Sequence, residues 1–148
     1  EVGQQLSLTG VHVEVLPATH TVPAVGLALA AHADGAAHWV FSGDTCYTPA
    51  FWHRINQLSV GMLFMETAFS NREASLADIS QHLCPQSLAQ CLALMDAEAN
   101  YPIYITHAKP AEVTRVMAEI RQLSGSRHAS GRAPLRIEGL TSGQSLNC

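Results

Sequence analysis

The chain has 148 residues, of which 47% are apolar and 14% charged, with a formal net charge of -4. That length suits one domain with a real core, and that composition excludes a disordered chain. The acidic balance and the single lysine, Lys109, exclude a broad basic surface, so no extended nucleic acid is expected as a partner.

In chain order, the first third is β in character. Val11 to Ala18 alternates apolar and polar residues, as a half-buried strand does. Val25 to Ala30 and Trp39 to Phe41 flank an Asp34-Gly35 turn and predict a hairpin. A short helix is expected after Pro49, with Phe51, Trp52 and Ile55 on one side, and Val60 to Met65 is a nearly continuous apolar run that predicts a buried strand. Leu88, Cys91, Leu92 and Met95 then recur at helical spacing behind Pro85. Ile103 to Thr106 predicts another buried strand. Val113, Val116, Met117 and Ile120 predict a second long helix, with Pro110 in its first turn and Gly125 near its stop. Ser124 to Pro134 reads as a loop, and Leu135 to Leu140 as a final strand.

Strands followed by strand–helix–strand–helix predict an α/β (α+β) domain, one mixed sheet with helices on one face. Nothing in these 148 residues is left to cover the other face. It is expected to pack on a second copy, as a homodimer, or on another chain, or to be half of a larger sandwich.

Cys46, Cys84, Cys91 and Cys148 follow no zinc-ribbon spacing, and Cys91 falls on the apolar face of a helix as a small core residue. There is no signal-like opening segment and no apolar run long enough for a membrane span, which makes the cytoplasm the expected location and excludes a membrane partner. The start, Glu1-Val2-Gly3, lacks a methionine and is expected to be a cut end.

Three residues of metal-ligand type each close an apolar run: His20 after Val11–Thr19, Asp44 after His38–Gly43, and His107 after Pro102–Thr106. Strand ends that converge place such residues at one rim, where a cation could collect them. Asp offers an anionic oxygen with two lone-pair faces on a short stem, and imidazoles suit borderline-soft divalent metals.

The segments Ala18-Thr19-His20-Thr21-Val22-Pro23-Ala24-Val25-Gly26, Phe41-Ser42-Gly43-Asp44-Thr45, Met65-Glu66-Thr67-Ala68-Phe69, Ser80-Gln81-His82-Leu83-Cys84-Pro85 and Ile105-Thr106-His107-Ala108-Lys109-Pro110 carry a resemblance. In this order they resemble the metallo-β-lactamase superfamily, most of all the class II cyclic nucleotide phosphodiesterases, with the tRNA 3′-processing endonucleases (ribonuclease Z) second. The resemblance implies the second half of an αββα sandwich, residues 1–148 forming the carboxy-terminal half of a hydrolase domain. It implies two Zn²⁺ ions, with Mn²⁺ or Fe as alternatives. His20 would ligate one ion, Asp44 would bridge both and His107 would ligate the second. His82 would stand near the scissile phosphate as a hydrogen-bond or proton donor, and Glu66 would orient a histidine. Lys109 reads as an exposed helix-start lysine, and His12, His32, His38, His53 and His128 as surface or packing residues.

The leading signature of that superfamily, His-x-His-x-Asp-His, is absent from this sequence. Its loss leaves two protein ligands per metal, too few for a stable site. The expectation is therefore a metal-dependent phosphodiester hydrolase of small cyclic nucleotides whose present chain is incomplete, probed by pairing it with the missing amino-terminal half. The alternatives are a tRNA 3′ endonuclease and a non-catalytic, dimerising domain on a decayed hydrolase scaffold.

Overall fold

A computed structural model describes residues 1–128 and 134–146. Seven strands form one sheet in sequential order: β1 (Gln5–Leu8), β2 (Val11–Pro17), β3 (Val25–Ala31), β4 (His38–Phe41), β5 (Val60–Glu66), β6 (Ile103–Thr106) and β7 (Ile137–Gly139). The first four pair antiparallel and the rest parallel, so the sheet is mixed. The predicted hairpin is β3–β4, with Asp34 and Gly35 in its connection. Four helices follow: α1 (Pro49–Ile55), α2 (Ala74–Ser80), α3 (Pro85–Ala93) and α4 (Val113–His128).

The helices bury their apolar faces on one side of the sheet. Leu16, Ala28, Val40, Leu63, Met65, Ile103 and Ile105 from the strands meet Phe51, Trp52, Leu88, Cys91, Val116 and Ile120 from the helices. Burial pushes the Cys91 thiol up to about 12, so it packs as a small apolar group. Cys46, Cys84 and Cys91 are free thiols, whereas Cys148 lies outside the described residues.

Several boundaries differ from the sequence reading: α3 ends at Ala93, before Met95, and the final strand is only Ile137–Gly139. Helix α4 starts at Val113 rather than beside Pro110, and its backbone continues past Gly125 to His128. A glycine inside a helix costs only about 1 kcal/mol, which the continuing hydrogen bonds offset. The expected loop begins later, and its residues 129–133 lie outside the described residues.

The opposite face carries Val13, Val15, Leu27, Leu29, Trp39, Phe41, Met62, Phe64 and Tyr104, none of which belongs to the helix-covered core. Its centre is an aromatic row across three strands. The Phe41 and Phe64 rings stack at 4.3 Å, and Phe64 and Tyr104 at 5.5 Å. Phe41 remains 36% exposed, and among the described residues no helix lies over this row. Cross-strand aromatic pairs stabilise the sheet, and the same surface stays apolar toward whatever meets it.

On the helix side, Arg54 of α1 holds Glu14 of β2 through two contacts, Nε to Oε1 at 2.6 Å and Nη2 to Oε2 at 2.8 Å. That guanidinium keeps the Glu14 carboxyl below its ordinary value of 4.5. Because the folded value is depressed, the pair contributes stability above pH 4.5 that is lost as pH falls through the folded value. Thermal unfolding of Glu14→Gln is expected to show a shallower loss of stability below pH 4.5 than the parent. Identical acid limbs would show that the pair contributes nothing.

Candidate metal centre

Strand direction explains why distant residues meet. β4, β5 and β6 are parallel, and β2 runs the same way because β2 and β4 are both antiparallel to β3. All four therefore end on one rim, which brings together His20, three residues beyond β2, Asp44, three beyond β4, Glu66, the last residue of β5, and His107, the first after β6. His82 reaches the same place from the loop after α2.

Local contacts fix the approach. The Thr19 amide donates to Thr45 Oγ1 (3.0 Å) and the Cys46 amide to the Thr19 carbonyl (2.9 Å), which ties the His20 loop to the Asp44 loop. Ser42 Oγ donates to the Gly43 carbonyl (2.8 Å) and accepts from the Glu66 amide (3.0 Å). Gly43 has φ +64°, and a Cβ there would stand 2.2 Å from the Val25 carbonyl oxygen, so only glycine fits. His107 itself takes φ 64°, which turns the chain sharply at the end of β6.

His20, Asp44 and His82 each offer a donor atom within 4.8 Å of the others. His107 joins on the Asp44 side, its Nδ1 3.7 Å from Asp44 Oδ1, and its ring stacks on that of His82 at 5.1 Å. His20 Nδ1 lies 3.2 Å from the Gln81 carbonyl, which can only accept, so Nδ1 carries the hydrogen and Nε2 keeps its lone pair. His82 Nδ1 lies 2.7 Å from Glu66 Oε1, which likewise leaves Nε2 for the cluster. Two imidazoles anchored at Nδ1 beside a carboxylate form a donor set suited to a borderline-soft divalent cation.

Glu66 is 1% exposed and serves as the hub. Besides His82, it accepts from the amides of Thr45 (3.0 Å), Ala68 (3.1 Å) and Leu83 (3.2 Å). Burial pushes its carboxyl up to about 7, against the pull of those amides. Burial, and then the neighbouring His20, hold the His82 imidazole below its ordinary value.

All five residues singled out from the sequence thus gather at one rim. The tight three-donor group contains His82, and His107 stands to its side. Lys109 is exposed, as read, but its ammonium sits 3.9 Å above the Phe69 ring, a cation–π contact that sequence gives no sign of. The carbonyl of Gln81, in a left-handed conformation at φ 55°, was equally invisible. His12 and His32 stack on each other at 3.8 Å, and His38 and His53 bond to Ser59 and Gln57, all apart from the cluster. The His128 side chain lies outside the described residues. No helix among the described residues is long and apolar enough to cross a membrane.

No family model matches the chain, and no curated protein matches it. Solved structures do. Unliganded yeast PDE1 superposes with a TM-score of 0.78 at 15% identity, over 97% of this chain and 48% of its own. The metallo-β-lactamase fold protein YhfI from Bacillus subtilis gives 0.71 at 15% identity, over 97% and 52%. The short form of human tRNase Z gives 0.56 at 15% identity, over 73% and 40%. The chain spans about half the length of the first two. Over that length, its mixed sheet with helices on one face has the metallo-β-lactamase fold.

Proposed function

We propose that this chain carries part of the active site of a metal-dependent phosphodiester hydrolase acting on cyclic nucleotides or similarly small diesters. The observation that carries the reading is that Asp44 lies within 4.8 Å of a His20 donor atom and 3.7 Å from His107 Nδ1, with His82 beside them. Likeness in fold to yeast PDE1 supports it. These donors would supply part of the coordination of two Zn²⁺ ions, with Mn²⁺ or Fe as alternatives. His20 would hold one, Asp44 both and His107 the second, and such ions, when bound, supply Lewis-acid stabilisation of phosphoryl oxygens. Asp44 is suited to bridging because its carboxylate approaches both His20 and His107. His82, fixed by Glu66 through Nδ1, would turn Nε2 toward the departing oxygen and, with its ring protonated, give that oxygen a proton. Three or four donors are too few for two ions, so the reading includes further ligands from an amino-terminal half packed on the Trp39–Phe41–Phe64–Tyr104 face.

The test loads the protein with Zn²⁺ or Mn²⁺, alone and together with that covering half, and measures hydrolysis of cyclic AMP, bis(p-nitrophenyl) phosphate and a pre-tRNA. The expected result is metal-dependent cleavage of the first two in the completed protein only. Asp44→Ala is expected to lose bound metal and His82→Ala to keep it, while each lowers the rate by at least about 100-fold. Cleavage of pre-tRNA alone would move the reading to a tRNA endonuclease. A stable, metal-free dimer without any cleavage would leave a non-catalytic domain.

A further inference from the structure

We infer that Gln81 is a positioning residue: its left-handed backbone fixes the tautomer of His20 and, through the next residue, the approach of His82. Among the described residues, only two other than glycine take a positive φ, Gln81 at 55° and His107 at 64°. Both stand at the metal rim. Such a backbone is costly for any residue with a Cβ, and it persists only where the surroundings hold it.

The local structure shows what holds it. Helix α2 ends in a Schellman motif, with the Gln81 amide donating to the Asp78 carbonyl (3.2 Å) and the His82 amide to the Ala77 carbonyl (2.9 Å). The left-handed position of that motif usually belongs to glycine, which has no Cβ to clash. Here it is a glutamine. The turn takes the Gln81 carbonyl out of the helix and brings it 3.2 Å from His20 Nδ1, which lies 61 residues away along the chain. An acceptor at Nδ1 keeps the hydrogen there and leaves the Nε2 lone pair for a cation. One residue later, His82 anchors its own Nδ1 on Glu66 at 2.7 Å. Consecutive residues thus set both imidazoles of the three-donor group. Relaxing residue 81 to a negative φ would rotate its carbonyl away from His20 and swing His82 with it.

The role in metal binding rests on the proposed hydrolase, whereas the tautomer can be read in the metal-free chain. Long-range ¹⁵N–¹H NMR spectra of the full chain, at a pH that leaves imidazoles neutral, are expected to show the His20 hydrogen on Nδ1. The Nε2–H form, which free histidine favours, would overturn the proposal outright. Gln81→Gly accepts the left-handed backbone, so it is expected to keep the tautomer and the urea midpoint, with Zn²⁺ affinity of the completed protein within about twofold. Gln81→Val resists that backbone, and it is expected to give mixed tautomers and to weaken Zn²⁺ about tenfold in the folded fraction. Gln81→Ala, milder in the same direction, takes its place if that chain does not fold. A residue that merely ends α2 would lower the urea midpoint of Gln81→Val and leave tautomer and Zn²⁺ affinity unchanged, and that result would overturn the positioning role. A tautomer that follows the variants, in a completed protein that binds no Zn²⁺, would uphold the hold of Gln81 on His20 and end the hydrolase reading instead.

Discussion

Glu66→Ala is expected to destabilise the fold by about 3–5 kcal/mol, the scale of breaking a buried polar network. The reason is that, among the described residues, Glu66 is the acceptor for four donors, the amides of Thr45, Ala68 and Leu83 and the His82 ring. Each buried donor left without a partner costs about 1–3 kcal/mol, and water entering the space recovers part of that. Glu66→Gln keeps the volume but turns an NH₂ group toward donors on one side, so about half of the loss is expected. In the proposed hydrolase, completed and metal-loaded, either change would free His82, with an expected loss in activity of about 10–100-fold. Urea unfolding in chelator gives the first quantity and diester hydrolysis the second.

The same carboxyl gives a pH signature. Its folded value of about 7 lies above the ordinary 4.5, so the folded chain holds a proton that the unfolded chain releases between those values. Stability from this group is complete below pH 4.5 and is lost as pH rises through 7, a change of roughly 3 kcal/mol. Glu66→Gln cannot titrate, and its stability between pH 5 and 8 is expected to be flatter than the parent's. Parallel curves would mean that the amides, not burial, govern this carboxyl.

Sequence reached the rim of the sheet because strand ends leave a pattern. His20, Asp44 and His107 each follow an apolar run, and parallel strands bring such ends together. It did not reach β1, a four-residue exposed edge in which only Leu6 and Leu8 alternate. It also missed α2, for a related reason. That helix buries Ala77 alone and leaves Leu76 and Ile79 outward, Ile79 75% exposed, so no apolar stripe marks it. The backbone donors to Glu66 and the Gln81 carbonyl on His20 belong to every residue type alike, and no pattern of side chains announces them.

Gly43→Ala tests whether the tight turn before Asp44 holds the metal site in place. Two effects are combined at this position: a left-handed backbone, and a Val25 carbonyl 2.2 Å from where a Cβ would stand. Gly35 separates them, since it has φ +75° with nothing within 4 Å of the added carbon. Gly35→Ala is therefore expected to cost only the backbone term, about 1–2 kcal/mol. Gly43→Ala adds a clash with main chain that no rotamer relieves, and at least about 3 kcal/mol is expected. The hairpin and the turn must then part, which draws Asp44 away from His20 and His107. Zn²⁺ affinity of the completed protein should fall with Gly43→Ala and stay level with Gly35→Ala. Equal losses of stability in the two variants would show that residues 42–44 shift freely, and a donor set on so loose a turn could not be preformed.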